Sequence, residues 1–271
     1  MKRVLKFLLA LLIVVLLAVG GIYTFQEKFI FLPKDLDQDY TYSFPSLEDN
    51  VSFEELFIDT EDGARLNALY FKVNKPNGLV VYFHGNAHNL SKWGTIASQF
   101  TQHNYNVIMM DYRGYGKSTG NRTEKKMYQD ALAFYEKANE FFPESQLTLY
   151  GRSLGSTFAT YVASKKNPRK LLLEAPFYSL TDVVKTRYPF LPAEKLLKYN
   201  FNTGTYANNV ASRVTIFHGT EDGVVPFQSG EKLYQVFPEE TRKMITIKGG
   251  KHNNLSTYQE FAISLHGELG Y

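Results

Sequence analysis

The 271-residue chain contains no cysteine. That excludes a disulfide-stapled scaffold, a thiolate metal site and a cysteine nucleophile. Net charge is nearly absent as well. Of the formal +3, all comes from Lys2, Arg3 and Lys6, and the rest of the chain carries 27 basic against 27 acidic side chains. A body without charge excess lacks the electrostatic footprint of a nucleic-acid binder, so no nucleic-acid partner is expected. No repeat recurs at a 20–50-residue period and no Gly/Ser- or Pro-rich linker divides the chain, so one domain is expected after the N-terminal segment. With 44% apolar and 21% charged residues the chain has the balance of a folded protein, which excludes disorder.

One long apolar run is present. From Phe7 to Ile22 every residue is apolar or glycine. As a helix this run reaches about 24 Å, and Val4, Leu5, a snorkelling Lys6 and an interfacial Tyr23 extend it to roughly the 30 Å of a hydrocarbon core. Residues 1–24 therefore read as a membrane anchor. A cleaved signal peptide is the competing reading, with Lys2-Arg3 before the run and Ala18-Val19-Gly20 as a small-x-small cleavage pattern. Both place the remainder of the chain on the non-cytoplasmic side, anchored in one case and secreted in the other.

Eight segments rich in β-branched and aromatic residues predict strands: Phe53–Asp59, Ala64–Val73, Leu79–Phe83, Val107–Asp111, Leu147–Tyr150, Leu171–Glu174, Val214–Phe217 and Met244–Lys248. The first two alternate with period two, as an exposed antiparallel edge would. Later ones are short continuous apolar runs, the signature of strands buried on both faces. Helical patterns lie between them, at Lys92–Gln102, Thr123–Phe142, Leu154–Lys165, Gln228–Phe237 and Leu255–Glu268. Strands alternating with helices after a leading hairpin predict an α/β fold with a mostly parallel sheet. Tyr178–Asn209 interrupts the rhythm and reads as an insertion at the sheet's edge. Its Tyr188, Phe190, Leu191, Leu196, Leu197, Tyr199, Phe201 and Tyr206 either pack the insertion down or form an apolar cap.

Gly151-Arg152-Ser153-Leu154-Gly155 follows one predicted strand and opens a helix. Only glycines two residues to either side let strand and helix pass closely enough to raise a serine on a strained tip, so Ser153 reads as a nucleophile. A serine hydroxyl needs a base, and His252 lies on a glycine-rich loop just after the last strand. The imidazole needs an acceptor for its second N–H. Asp222, after the seventh strand, is better placed for that than its neighbour Glu221, although an Asx turn or cap ahead of Pro226 would also explain an aspartate there. All three residues follow parallel strands, whose carboxyl ends line one crevice. The N–H of Leu154 and one from the His84-Gly85-Asn86-Ala87 loop would form an oxyanion hole, Asn86 being the first choice and Ala87 the second.

Two patterns are rejected. His84 and His88 lack the glutamate of a zinc helix motif, because Gly85 stands in its place. Gly116-Lys117-Ser118 ends like a phosphate-binding loop, but position 111 is aspartate where that loop requires glycine. Asp111 and Arg113 are instead expected to tie backbone groups in a tight structural turn. Neither metal nor cofactor is expected.

His84-Gly-Asn, Asp111-Tyr-Arg-Gly-Tyr-Gly-Lys-Ser, Gly-Arg-Ser153-Leu-Gly, His218-Gly-Thr-Glu-Asp222 and Lys251-His252-Asn together resemble the α/β-hydrolase superfamily. Within it they resemble the small, N-terminally membrane-anchored serine hydrolases related to the prolyl-oligopeptidase branch. The resemblance spans residues 25–271 and includes Gln26-Glu-Lys-Phe-Ile-Phe-Leu-Pro33, similar to that group's juxtamembrane segment. It implies an eight-stranded, mostly parallel sheet with helices on both faces and a catalytic domain over 25–271, with 178–209 as a short cap insertion. It also implies Ser153 as nucleophile, His252 as base, Asp222 as acid, and Leu154 with the Asn86 region as oxyanion donors. The activity to expect is hydrolysis of small-molecule or lipid-like esters or thioesters through an acyl-serine. The competing functions are a serine peptidase or amidase with the same three residues, and a non-catalytic membrane-tethered binding module.

Overall fold

A computed structural model describes residues 2–270, apart from the side chains of 15, 16 and 18. All eight expected strands form: β1 (Ser52–Asp59), β2 (Arg65–Lys72), β3 (Gly78–Phe83), β4 (Tyr105–Met110), β5 (Leu147–Arg152), β6 (Lys170–Glu174), β7 (Arg213–Gly219) and β8 (Arg242–Ile247). They make one sheet in the order β8-β7-β6-β5-β3-β4-β2-β1. β1 pairs antiparallel with β2 and β2 antiparallel with β4, and every other pairing is parallel. The strands with continuous apolar runs are those buried along nearly their whole length, Leu79–Phe83 and Leu171–Glu174 among them. Of the two leading strands only β1 behaves as an exposed edge; β8 is the edge at the other end of the sheet. β2 was expected to share that role but is buried from Leu66 to Phe71, because β4 covers its other side.

Helices of eight residues or more are α1 (Lys2–Phe25), α2 (Glu124–Asn139), α3 (Leu154–Ala163), α4 (Leu180–Arg187), α5 (Phe227–Tyr234) and α6 (Gln259–Leu269). On α2, Met127, Ala131, Phe134, Tyr135 and Ala138 are buried at helical spacing, and Thr123 caps the helix by accepting the Lys126 N–H at 3.2 Å. α2 and α3 close one face of the sheet, where Phe134 and Phe158 are fully buried. α6 and the segment Leu90–Thr101 close the other, with Trp93, Phe100, Phe261 and Leu265. Each such side chain withdrawn from water stabilises the fold by about 1.5–3 kcal/mol. The helix expected over Lys92–Gln102 is broken into Leu90–Trp93, a 3₁₀ turn at Gly94–Ala97 and Ser98–Thr101. Phe44 lies directly against Gly94, where any side chain would collide with its ring.

α1 is 24 residues long, so it spans about 36 Å, and none of its described residues is buried. It is long and apolar enough to cross a membrane. Immediately after it, Glu27–Ile30 forms one helical turn and Leu32–Pro33 pairs in parallel with Ala87–His88. The stretch after α1 thus joins the body at the loop that follows β3. The stretch 178–209 holds α4 and two single turns, Ala193–Leu196 and Gly204–Ala207, between β6 and β7.

Candidate active site

Ser153 sits between β5 and α3 with φ +51° and ψ −116°, a backbone conformation that costs a non-glycine residue about 1–3 kcal/mol. Close packing imposes it. A Cβ on Gly151 would stand 2.6 Å from Ser156 Cα, and one on Gly155 would collide with the Phe83 carbonyl. The Ser153 N–H donates to the Glu174 carbonyl at 2.9 Å, and its carbonyl accepts from the Ser156 N–H at 2.9 Å. The tip is therefore held from both sides, with Ser153 Oγ turned to the crevice.

His252 Nε2 lies 3.1 Å from Ser153 Oγ, and His252 Nδ1 lies 2.7 Å from Asp222 Oδ2. Three residues widely separated in sequence thus form one hydrogen-bonded chain, all of them nearly buried. With the Nδ1 proton donated to Asp222, Nε2 is left to accept from the serine. Asp222 Oδ1 accepts the N–H groups of Val224 and Val225, both at 2.8 Å. The turn role and the histidine-facing role are therefore not alternatives, since one carboxylate oxygen serves each. Glu221 lies outside this chain and its residue is exposed.

His218 was quoted in the sequence only as part of a motif, yet its buried Nε2 stands 3.4 Å from Asp222 Oδ2. Burial alone would push the Asp222 carboxyl upward. The hydrogen bonds from His218 and His252, with the Val224 N–H, outweigh it and hold the group well below the usual carboxylate range. Asp222 is thus ionised across the whole neutral range. A second tie reaches the histidine loop from the elbow: Arg152 Nη2 donates to the His252 carbonyl at 3.2 Å and to Asn253 Oδ1 at 3.0 Å. Arg152 is itself set by Glu174 Oε1 at 3.1 Å, whose other oxygen accepts from Tyr150 at 2.8 Å.

Leu154 is the first residue of α3, where an N–H has no carbonyl of its own helix to bond. Across the crevice the Asn86 side chain is engaged elsewhere, donating from Nδ2 to the Ile30 carbonyl at 2.9 Å. Its backbone carbonyl accepts from the Leu32 N–H at 2.9 Å and from Tyr115 at 2.7 Å. With Nδ2 and the carbonyl engaged, the backbone N–H of Asn86 remains a donor for a ligand. Asn86, but not Ala87, lines the cavity together with Ser153 and Leu154. Of the neighbouring turn, Asp111 does tie backbone, its Oδ2 accepting the Leu90 N–H at 3.1 Å. Arg113 does not. It pairs instead with Asp130 at 2.6 Å and Asp62 at 2.8 Å, because α2 brings a carboxylate to it. Among the described residues no group of three or more His, Asp or Glu side chains converges as a metal site requires.

Above Ser153 lies a cavity of about 520 Å³. One wall is Leu180, Val183, Val184, Tyr188, Leu191, Leu196 and Leu197 of the insertion, and another is Val224 and Val225 of the loop after β7. The third was not foreseen: Ile22, Gln26, Phe29 and Ile30, from the end of α1 and the turn after it. No Asp, Glu, Lys or Arg occurs among the described lining residues. The apolar residues of the insertion divide between the two roles considered for them. Tyr199 and Phe201 are buried against Phe31 and Phe158, while Tyr188, Leu191, Leu196 and Leu197 face the cavity.

The sequence matches the serine aminopeptidase, S33, family over residues 74–205, which includes Ser153 and stops short of Asp222 and His252. The Saccharomyces cerevisiae membrane protein YNL320W is 30% identical over 212 residues, covering 75% of each chain. The chain belongs to the α/β-hydrolase superfamily. The lysophosphatidylserine lipase ABHD12 of Danio rerio is 30% identical over 182 residues, 58% of this chain and 47% of that protein. Among solved structures, the Pyrococcus furiosus esterase Pf2001 shares the fold with a TM-score of 0.67 at 19% identity, covering 89% of this chain and 96% of that one.

Proposed function

We propose that this superfamily member is a membrane-anchored serine hydrolase that cleaves carboxylic esters or thioesters of apolar acyl groups. Residues 25–271 form the catalytic domain, and 178–209 is its cap. The observation that carries the reading is the chain Ser153 Oγ, His252 Nε2, His252 Nδ1, Asp222 Oδ2, at 3.1 and 2.7 Å, at the base of an apolar cavity. His252 takes the Ser153 proton as Oγ bonds to the acyl carbon, and the carbonyl oxygen becomes an oxyanion held by the N–H groups of Leu154 and Asn86. Collapse breaks the acyl–oxygen or acyl–sulfur bond, and His252 returns its proton to the leaving group. A water, deprotonated by the same imidazole, then releases the acid and regenerates Ser153. Asp222, ionised and doubly supported, keeps the imidazole in the tautomer that can accept.

The family description raises the peptidase reading. An aminopeptidase must hold a substrate ammonium, which calls for a carboxylate in the pocket, and the described lining residues include none. The apolar walls favour an acyl chain, and the lipase and esterase names among similar proteins point the same way. Lys2, Arg3 and Lys6 before the apolar helix favour a catalytic domain on the non-cytoplasmic side.

Labelling with a fluorophosphonate, followed by a panel of esters, thioesters and amides, tests the assignment. Wild type is expected to label and Ser153→Ala not to, with kcat falling roughly 10⁴- to 10⁶-fold. Activity is expected to rise from acetyl to longer acyl chains. Turnover retained in Ser153→Ala would overturn the nucleophile, and a flat or falling chain-length series would overturn the acyl preference.

A further inference from the structure

We propose that the mouth of this cavity rests in the membrane interface and that the stretch following α1 is a built wall of the acyl path, so that the enzyme takes a long acyl chain sideways from the leaflet beside its own anchor. This rests on the ester-hydrolase reading above and names the source and class of its substrate: a lipid monomer with one long chain in ester linkage.

The wall is fixed rather than draped. Gln26, only 3% exposed, donates from Nε2 to the Leu196 carbonyl at 3.1 Å and accepts the Lys198 N–H on Oε1 at 2.7 Å. Tyr199 donates to Glu27 at 2.9 Å, and Phe31 packs edge-on against Tyr199 at 5.0 Å. On the other side, the Ile30 carbonyl accepts from Asn86, as described. The anchor's end is therefore hydrogen-bonded both to the insertion and to the loop beside Ser153. A buried glutamine with partners on both oxygen and nitrogen defines one geometry, because leaving any of these groups unpaired is unfavourable.

The mouth has the opposite character. Phe29, Tyr188 and Val224 line the cavity and are each more than half exposed. Phe190, two residues beyond Tyr188, is 97% exposed, and Phe25 at the end of α1 is exposed too. Soluble proteins seldom leave so many large apolar side chains uncovered in one place. This group is continuous with a 24-residue apolar helix, and that continuity identifies the bilayer as what covers it. Tyr23 and Lys198, whose ammonium lies 4.9 Å from the Tyr23 ring, meet beside Gln26, which bonds the backbone of both. An aromatic ring paired with a long basic side chain suits the headgroup layer. A chain leaving the leaflet here meets apolar surface from Phe29 and Tyr188 inward to Ser153.

The test uses the full-length protein in phosphatidylcholine vesicles, with two substrates: soluble p-nitrophenyl acetate, and monooleoylglycerol embedded in the same vesicles. Phe190 lines neither cavity nor catalytic chain, and its exposure makes Phe190→Asp harmless to folding. The expected result is a loss of roughly ten-fold or more in monooleoylglycerol turnover, from the lost apolar contact with lipid, and acetate turnover within two-fold of wild type. Phe190→Leu is expected to retain most lipid turnover. Unchanged lipid turnover in Phe190→Asp, or an equal loss on both substrates, would overturn the membrane-facing mouth. Ile22→Trp tests the wall separately, through the ratio of decanoate to acetate kcat/KM, expected to fall about ten-fold as the indole fills the path. An unchanged ratio would remove the anchor's end from the acyl path. Ser153→Ala is run alongside: acetate turnover surviving in it would mean that the hydrolase reading itself had failed, whatever the rim variants do.

Discussion

On the strand side of the cavity, Ser153, Asp222 and His252 are fixed by short polar contacts. The elbow is held by backbone bonds to Glu174 and Ser156, the carboxylate by His218 and two N–H groups, and the histidine loop by Arg152. On the facing side, the insertion and the end of α1 present mostly aliphatic and aromatic surface to the cavity, while polar contacts tie them to the body, among them those of Gln26, of Asp182 with Ser229 and Lys232, and of Glu124 with the Asn200 and Phe201 N–H groups. Chemistry needs reacting atoms within a few tenths of an ångström, which directional hydrogen bonds supply. Accommodation of an acyl chain needs shape and dryness, which apolar packing supplies with less angular precision.

The sharpest way to break this contrast is to alter one polar contact on the strand side. Asp222→Asn is expected to lower kcat about 10⁴-fold, because the amide can support the wrong imidazole tautomer. A ten-fold loss or less, by steady-state kinetics on a soluble ester, would mean that His218 or another group orients His252. On the facing side, Gln26→Leu leaves the Leu196 carbonyl and the Lys198 N–H unpaired. Unfolding free energy from denaturant melts is expected to drop by about 1–3 kcal/mol, while acetyl-ester kcat falls far less than in Asp222→Asn. A loss of activity as deep as that of Asp222→Asn would erase the distinction between the two sides.

The smallest expected effect concerns acid. The folded Asp222 carboxyl is held below its ordinary value of 3.8, so its ionisation favours the folded state at every pH above that value. The contribution fades as pH falls through the depressed folded value. Thermal melts of wild type and Asp222→Asn should differ by a gap that is constant from pH 7 to roughly pH 4 and narrows below it. A gap closing already near pH 6 would assign the effect to histidine charge.

How far each side could be read in advance follows from the same contrast. β3 and β6 were legible because strands buried on both faces must be continuously apolar, as in Leu79-Val-Val-Tyr-Phe83. That Ser153, Asp222 and His252 would lie together was legible because each follows a strand on a short glycine-containing loop, and the structure brings them within hydrogen-bond reach. The wall made by Ile22, Gln26, Phe29 and Ile30 was not legible. Gln26 meets Leu196 and Lys198 across some 170 residues, and such contacts leave no periodicity or local composition behind. His218 escaped for another reason, since a histidine at the end of a buried strand reads locally as core. The break at Gly94 depends on Phe44, fifty residues earlier, and Arg113 found carboxylates on α2 rather than backbone.

Gln26 has a practical corollary for anyone producing this enzyme in water. Trimming the chain at residue 24 to escape detergent would delete Ile22 and also Tyr23, whose carbonyl is the third partner of the Gln26 amide at 2.9 Å. On the hydrolase reading proposed above, the shortened protein is expected to keep its serine, histidine and aspartate and to hydrolyse small test compounds. Its cavity would be missing a side, so selectivity measured on it would describe the truncation product rather than the full-length chain.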